Sequence, residues 1–256
     1  MSDARTPEGE RADDDQVAAR REQIRAGLAS VRTRIDSAVS AAGRDDHVRL
    51  VVVTKTFPAS DVDLLAALGV TDVGENRDQE AAAKRRSVDA AAQHLRWHMI
   101  GQLQRNKARS VAGWADVVES VDRAAVVPVL GAAARDLGRV LDVLIQVNLD
   151  PEPVAGRGGA HPDEVPALAD IVAEQESLRV AGVMGVAPHP DLLDPPGSPL
   201  PAFERLARVS QRLRQGHPAA VEVSAGMSGD LEEAVAAGAT QVRIGGAVLG
   251  GRPPVE

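Results

Sequence analysis

Val48-Arg49-Leu50-Val51-Val52-Val53-Thr54 is followed by the Ala- and Leu-rich stretch Ala59–Leu68 and then by Thr71-Asp72-Val73-Gly74. A β-branched run, an amphipathic stretch and a second β-rich run make a strand–helix–strand unit. Its strands pair in parallel, because the crossover helix returns the chain to the end from which it started. The unit repeats. Further strand candidates are Leu95–Gly101, Asp116–Val121, Leu141–Asn148, Leu178–Val186, Ala220–Ser224 and Gln241–Ile244. Between them lie helix candidates near Arg77–Ala91, Gln104–Val111, Ala124–Leu137, Pro162–Glu176, Ala202–Gln215 and Gly229–Ala237. Ala67-Leu68-Gly69-Val70-Thr71-Asp72-Val73 is echoed by Ala237-Gly238-Ala239-Thr240-Gln241-Val242, where a helix again ends near Gly and a strand follows Thr. About eight strands alternating with helices favour an α/β fold closed as a single (β/α)8 TIM-type barrel over an open doubly wound sheet.

No stretch after the last strand is long enough for an eighth outer helix. A helix ahead of the first strand, with Ile24, Leu28, Val31, Ile35 and Val39 at helical spacing and Gly43 as its stop, is placed to cover that gap. The acidic stretch Met1–Asp15 reads as a disordered tail, leaving residues 16–256 as one barrel domain. The apolar content comes from Ala, Val and Leu, with two Trp, two Phe and no Tyr. Small branched residues suit a barrel interior filled by layers of Val, Ile and Leu. The chain has no Cys, which excludes disulfides, thiolate metal sites and a thiol nucleophile. His47, His94, His161, His189 and His217 are scattered among loops and polar stretches, so no metal site is expected. No run approaches the roughly 18 apolar residues of a membrane span, and the acidic start lacks a signal-peptide core. A cytoplasmic protein is expected. A net charge of −8 argues against nonspecific nucleic-acid binding.

In a β/α barrel, chemistry gathers at the carboxyl ends of the strands. Those positions here hold Lys55, Gly74, Glu75, Asn76, His98, Gly101, Asn148, Met184, Ser224, Gly226, Ser228, Arg243, Gly245 and Gly246. A lysine at a barrel mouth loses hydration, which disfavours its ammonium form, and a neutral amine condenses with aldehydes to a Schiff base. Position alone leaves Lys55 as a strand-end lysine reaching for water. Ser224-Ala225-Gly226-Met227-Ser228-Gly229-Asp230 adds a Gly- and Ser-rich turn opening onto a helix, where backbone N–H groups and hydroxyls attract an anion. Arg243-Ile244-Gly245-Gly246 ends the next strand, and barrel phosphate sites are commonly built from the loops after strands seven and eight. Barrel closure sets these loops beside Lys55. An aldehyde cofactor bearing a phosphate, pyridoxal 5′-phosphate, fits that pairing; so does a phosphosugar on a Schiff-base lysine.

The motifs resemble those of the pyridoxal phosphate homeostasis protein family, the YggS/PROSC type. They are Val53-Thr54-Lys55-Thr56, Gly74-Glu75-Asn76-Arg77-Asp78-Gln79-Glu80, Trp97–Lys107, Gly226-Met227-Ser228-Gly229-Asp230 and Val242-Arg243-Ile244-Gly245, in family order from about residue 20 to residue 252. The resemblance implies the type III fold of the alanine racemase N-terminal domain, with Lys55 as the aldimine lysine. It places Ser224, Gly226, Met227, Ser228, Arg243 and Gly245 at the phosphate, and Asn76 and Asn148 near the cofactor; Met184 joins them as a strand-end candidate. Arg77 stands where the family often has Tyr, and Gln102–Lys107 and the loops Asp150–Gly159 and Pro188–Pro201 also depart from its pattern.

A racemase of this fold needs a second domain and a tyrosine opposing the lysine, and this chain has neither. His98 could replace that acid–base group, although a strand histidine beside Trp97 is more often structural, so no catalytic residue is assigned. The reading favoured is a protein that binds, buffers and delivers pyridoxal phosphate through the Lys55 aldimine, without robust turnover. Its expected partners are the cofactor and apo-enzymes that receive it, and a monomer is expected. The alternative is a low-activity amino-acid racemase or lyase. Arg105, Lys107 and Arg109 read as a solvated helix face.

Overall fold

The computed structural model describes residues 7–151, 157–193 and 195–251, with side chains from residue 14. Eight parallel strands close into a barrel in chain order: β1 (Arg49–Val53), β2 (Asp72–Glu75), β3 (Arg96–Met99), β4 (Val117–Val121), β5 (Leu141–Val147), β6 (Leu178–Gly185), β7 (Glu222–Ser224) and β8 (Gln241–Ile244). The first and last strands seal it, with Arg49 opposite Gln241 and Val52 opposite Ile244. Seven helices follow the strands: α2 (Ala59–Ala67), α3 (Asp78–Ser87), α4 (Ala108–Trp114), α5 (Val127–Asp136), α6 (Val165–Ala173), α7 (Leu200–Gly216) and α8 (Leu231–Ala236). After β8 comes a single turn, α9 (Gly246–Leu249). All eight expected strands form, each within two residues of its expected bounds.

The gap left by the missing outer helix is filled by α1 (Pro7–Ala41), which packs on α8 and α9. Ile24, Leu28, Val31 and Ile35 are its buried stripe. Gly27 permits the contact: a Cβ there would lie 2.4 Å from the Val248 carbonyl oxygen. The helix stops at Gly43 in a left-handed conformation (φ 66°), where Arg44 N–H donates to the Val39 carbonyl and Gly43 N–H to that of Ser40. These are the two bonds of a Schellman cap. The amino-terminal end differs from expectation. The helix starts at Pro7, inside the stretch assigned to a disordered tail, and residues 1–6 lie outside the described residues. Proline is well tolerated there, because its fixed φ suits the first helical turn and its missing N–H has no intrahelical partner to lose.

The packing of the interior also departs from the sequence reading. Most Val, Ile and Leu side chains of the strands face outward, in one large apolar cluster between barrel and helices. Inside, Val117, Leu144 and Met184 form a small apolar group, and buried Asp72, His98, Glu119, Ser224, Gln241 and Arg243 occupy other strand positions. Strand alternation is the cause: Val118 joins the outer layer while Val117 and Glu119 point inward. Among the described residues, no helix is long and apolar enough to cross a membrane.

Candidate functional site

At the end of β1, the Phe57 N–H donates to the Thr54 carbonyl (3.0 Å), closing a four-residue turn with Lys55 and Thr56 at its centre. Thr56 has φ 71° and is the described non-glycine residue in the left-handed region. That is the position where a type II turn favours glycine, and a β-branched residue there carries strain of about 1–3 kcal/mol. Two groups from α3 hold the turn. Glu80 Oε1 accepts the Thr56 N–H at 2.6 Å, and the buried Lys84 Nζ donates to the Thr54 carbonyl at 2.8 Å. Lys84 also pairs with Glu75 Oε1 at 2.5 Å. Burial holds the Glu75 carboxyl above its usual pKa despite that neighbouring ammonium.

The turn presents Lys55, half-buried, to a cavity of about 510 Å³ at the carboxyl end of the barrel, within the range of small-molecule sites. Asn76, Met227, Ser228, Arg243 and Gly245 line it as well, so six of the ten residues singled out from sequence meet in one place. Phe57, Ile100 and Val186 supply apolar wall that the sequence reading did not pick out. Phe57 is backed by α1, whose Arg20 guanidinium lies 5.8 Å from its ring centroid and also reaches Asp61. From the same helix, Arg34 donates to the Ser228 carbonyl at 3.1 Å. The extra helix therefore braces both sides of the mouth.

The other four lie elsewhere. Gly226 shapes the loop from behind: its φ is 91°, and a Cβ would come within 2.8 Å of Ala234 Cβ. Ser224 is fully buried beneath the loop, where its hydroxyl bonds to Glu119 Oε2 (2.5 Å) and accepts from Arg243 Nη1 (2.6 Å). Asn148 borders a neighbouring cavity with Arg157 and Gly158, and its Oδ1 accepts the Asp150 N–H. Met184 belongs to the apolar group inside the barrel. We expect Gly226→Ala to destabilise the fold by roughly 1–3 kcal/mol, from left-handed strain and the clash together. Urea unfolding would read this as a lower midpoint with an unchanged slope; an unshifted midpoint would contradict it.

Beneath the cavity, charge is organised in a chain. His98 Nε2 lies 2.9 Å from Asp72 Oδ1, and its Nδ1 lies 2.6 Å from Glu119 Oε1. Gln241 Nε2 donates to the same Glu119 oxygen, and Ser224 carries the connection to Arg243, whose Nη2 donates to the Gly185 carbonyl. Burial works against the imidazolium, yet the two carboxylates prevail and the His98 pKa is raised. Burial likewise works against the charged forms of Glu119 and Asp72, but His98 holds both pKa values below normal. Arg243, pulled down by burial and supported by Glu119, is the member of this chain that reaches the cavity. His98 borders a different cavity, with Arg49, Arg96 and Arg179 from the amino-terminal ends of their strands. Sequence reasoning missed Glu119 and Lys84; a charged residue in or beside an apolar run was the available signal.

The fold and site define a class: residues 27–253 match the family model for the alanine racemase N-terminal domain. The relatives narrow it. The pyridoxal phosphate homeostasis protein of Mycobacterium tuberculosis is 41% identical over 251 residues, covering 91% of this chain and 94% of that one. The Escherichia coli protein of that name is 35% identical over 228 residues, covering 88% and 95%. The chain belongs to the pyridoxal phosphate homeostasis protein family. A solved structure of PipY from Synechococcus elongatus with PLP bound superposes with a TM-score of 0.75 at 32% identity, over 89% of this chain and 100% of that one. Alanine racemase from Clostridium difficile shares the fold (TM-score 0.67) at 14% identity, and the chain spans 58% of its length.

Proposed function

We propose that this protein binds pyridoxal 5′-phosphate covalently through Lys55, holds it, and releases it to apo-enzymes in the cytoplasm, as a monomer without robust turnover of its own. The observation that carries this reading is the meeting of Lys55 with the loops after β7 and β8 in one cavity of fitting size. The donor set suits the cofactor. Lys55 supplies the amine, and Met227, Ser228 and Gly245 offer a hydroxyl and approachable backbone to a phosphate, with Gly226 and Ser224 supporting them. Asn76 presents a buried Oδ1 without a hydrogen-bond partner among the described residues, which a polar ring substituent would satisfy. Arg243 is anchored by Ser224 and Gly185 and faces the cavity from the barrel interior. From there its fixed positive charge would face a cofactor held in the cavity. Asn148 and Met184 lie outside this cavity, beside the neighbouring one and in the barrel interior.

When bound, the cofactor supplies an electrophilic aldehyde and an electron-withdrawing ring. The chain's residues orient it but offer little acid–base chemistry. The sequence has no tyrosine, and the imidazole of His98 is engaged on both nitrogens by Asp72 and Glu119. A carrier needs only reversible attachment. Purified protein titrated with pyridoxal phosphate should develop an absorbance band near about 420 nm. Borohydride should then fix the added mass on the peptide containing Lys55, and the unreduced protein should reactivate an apo-enzyme. A protein that stays colourless, or that carries the mass elsewhere, would overturn the assignment; rapid amino-acid turnover would overturn the carrier role.

A further inference from the structure

The backbone on either side of Lys55 is held by charges. The carbonyl of Thr54, one residue before, accepts from Lys84 Nζ at 2.8 Å. The amide of Thr56, one residue after, donates to Glu80 Oε1 at 2.6 Å. Glu80 and Lys84 stand one helical turn apart on α3, and their charged groups lie 3.4 Å from each other. Lys84 is buried and fixed further by Glu75, which also accepts from the Thr54 hydroxyl at 2.7 Å. What these groups hold is an unfavourable conformation, since Thr56 sits at φ 71°. Without the Glu80 carboxylate, the Thr56 amide would lose a charge-assisted acceptor, and the threonine would be free to relax toward negative φ. The turn would rotate, and with it the direction in which the Lys55 side chain leaves the backbone.

We infer that Glu80 and Lys84 are positioning residues for Lys55: an ion pair on α3 that clamps the peptide groups flanking the lysine and keeps its amine aimed into the cavity. The inference rests on Lys55 being the attachment point. The step it serves forms one C=N bond between the Lys55 nitrogen and the aldehyde carbon, and the aldehyde oxygen leaves as water with the two amine protons. The clamp acts on this condensation and not on the phosphate grip, whose loops lie after β7 and β8.

The test separates the two. In Glu80→Ala, the equilibrium constant for covalent attachment, read from the 420 nm band in a pyridoxal phosphate titration, should fall about tenfold or more, the worth of a charged hydrogen bond. Binding of pyridoxine 5′-phosphate, which carries an alcohol where the aldehyde would be, should stay within about threefold of wild type. Glu80→Gln keeps an acceptor for the Thr56 amide and should recover most of the attachment. So should Thr56→Gly placed in the Glu80→Ala background, because glycine adopts positive φ without strain. The clamp is overturned if Glu80→Ala attaches the cofactor as wild type does, if both ligands weaken together, or if Thr56→Gly restores nothing. A colourless wild type would overturn the Lys55 assignment and the clamp with it; a coloured wild type beside an unaffected Glu80→Ala would overturn the clamp alone.

Discussion

Lys55→Ala is expected to abolish the 420 nm band completely while leaving the fold and the phosphate grip in place. In the proposed reading the Lys55 amine is the group that condenses, so no residual band should survive at any cofactor concentration. The fold should tolerate the change because the turn is held through backbone atoms. Phe57 N–H bonds to the Thr54 carbonyl, Thr56 N–H to Glu80, and Lys84 to the Thr54 carbonyl; alanine removes none of these. Truncating a half-buried side chain on a turn held in this way should cost about 1 kcal/mol or less. Pyridoxine 5′-phosphate, which under the proposal is held by Met227, Ser228 and Gly245 and not by the amine, should bind within about threefold of wild type. A visible spectrum and a calorimetric titration on the two proteins decide the matter. A persisting band would move the attachment to another lysine, and loss of both ligands would mean that Lys55 shapes the cavity as well as reacting in it.

The second large effect is structural. Glu119 is fully buried and joins His98, Gln241 and Ser224, with Arg243 at 3.8 Å. Glu119→Gln keeps the shape but leaves the His98 cation with Asp72 alone and takes from Arg243 its nearest carboxylate, leaving it the charge of Asp230. Breaking a buried pair this way costs about 3–5 kcal/mol, which for a domain of this size lowers Tm by roughly 6–20 °C. The pH dependence has a definite sign. The raised His98 pKa gives stability that is fully present below its unfolded value of about 6.5 and is lost as pH rises through the folded value. The depressed Glu119 and Asp72 values give stability that is present above about pH 4 and lost as pH falls through their folded values. The Tm difference between wild type and Glu119→Gln should therefore be widest between about pH 4.5 and 6.5 and shrink on both sides. Thermal melts extending from about pH 3 to about pH 9, on both sides of that range, give the answer, and a difference that does not change with pH would contradict the charged network.

The order of elements was legible because each β/α unit carries two periodicities. A strand of the type Leu50–Val53 and a helix such as Ala59–Ala67 are told apart by local pattern, with no knowledge of what they touch. Lys55 and the Gly- and Ser-rich loop were legible for a related reason: a strand end in a β/α barrel is a fixed address, and the sequence printed reactive and anion-binding residue types at those addresses. The inward and outward sides of the strands were less legible. In β4, Val117 and Val118 are chemically alike, and closure of the barrel puts one inside and the other against the helices.

The sequence by itself determined the eight strands and the seven helices between them, the covering helix ahead of the first strand, and the lysine and loops that meet at the barrel mouth. Tertiary structure alone decided which polar residues share the barrel interior. His98, Glu119, Ser224 and Arg243 come from four different strands, and their contacts depend on register and tilt, which short-range pattern does not encode. It also decided the conformation of Thr56. Nothing in Thr54-Lys55-Thr56-Phe57 calls for a left-handed threonine; it is held there by Glu80 and by Lys84 on the preceding carbonyl, from a helix more than twenty residues away. Lys55 was visible as a residue type in a one-dimensional pattern, whereas the direction of its amine is set by charges that only the folded chain brings beside it.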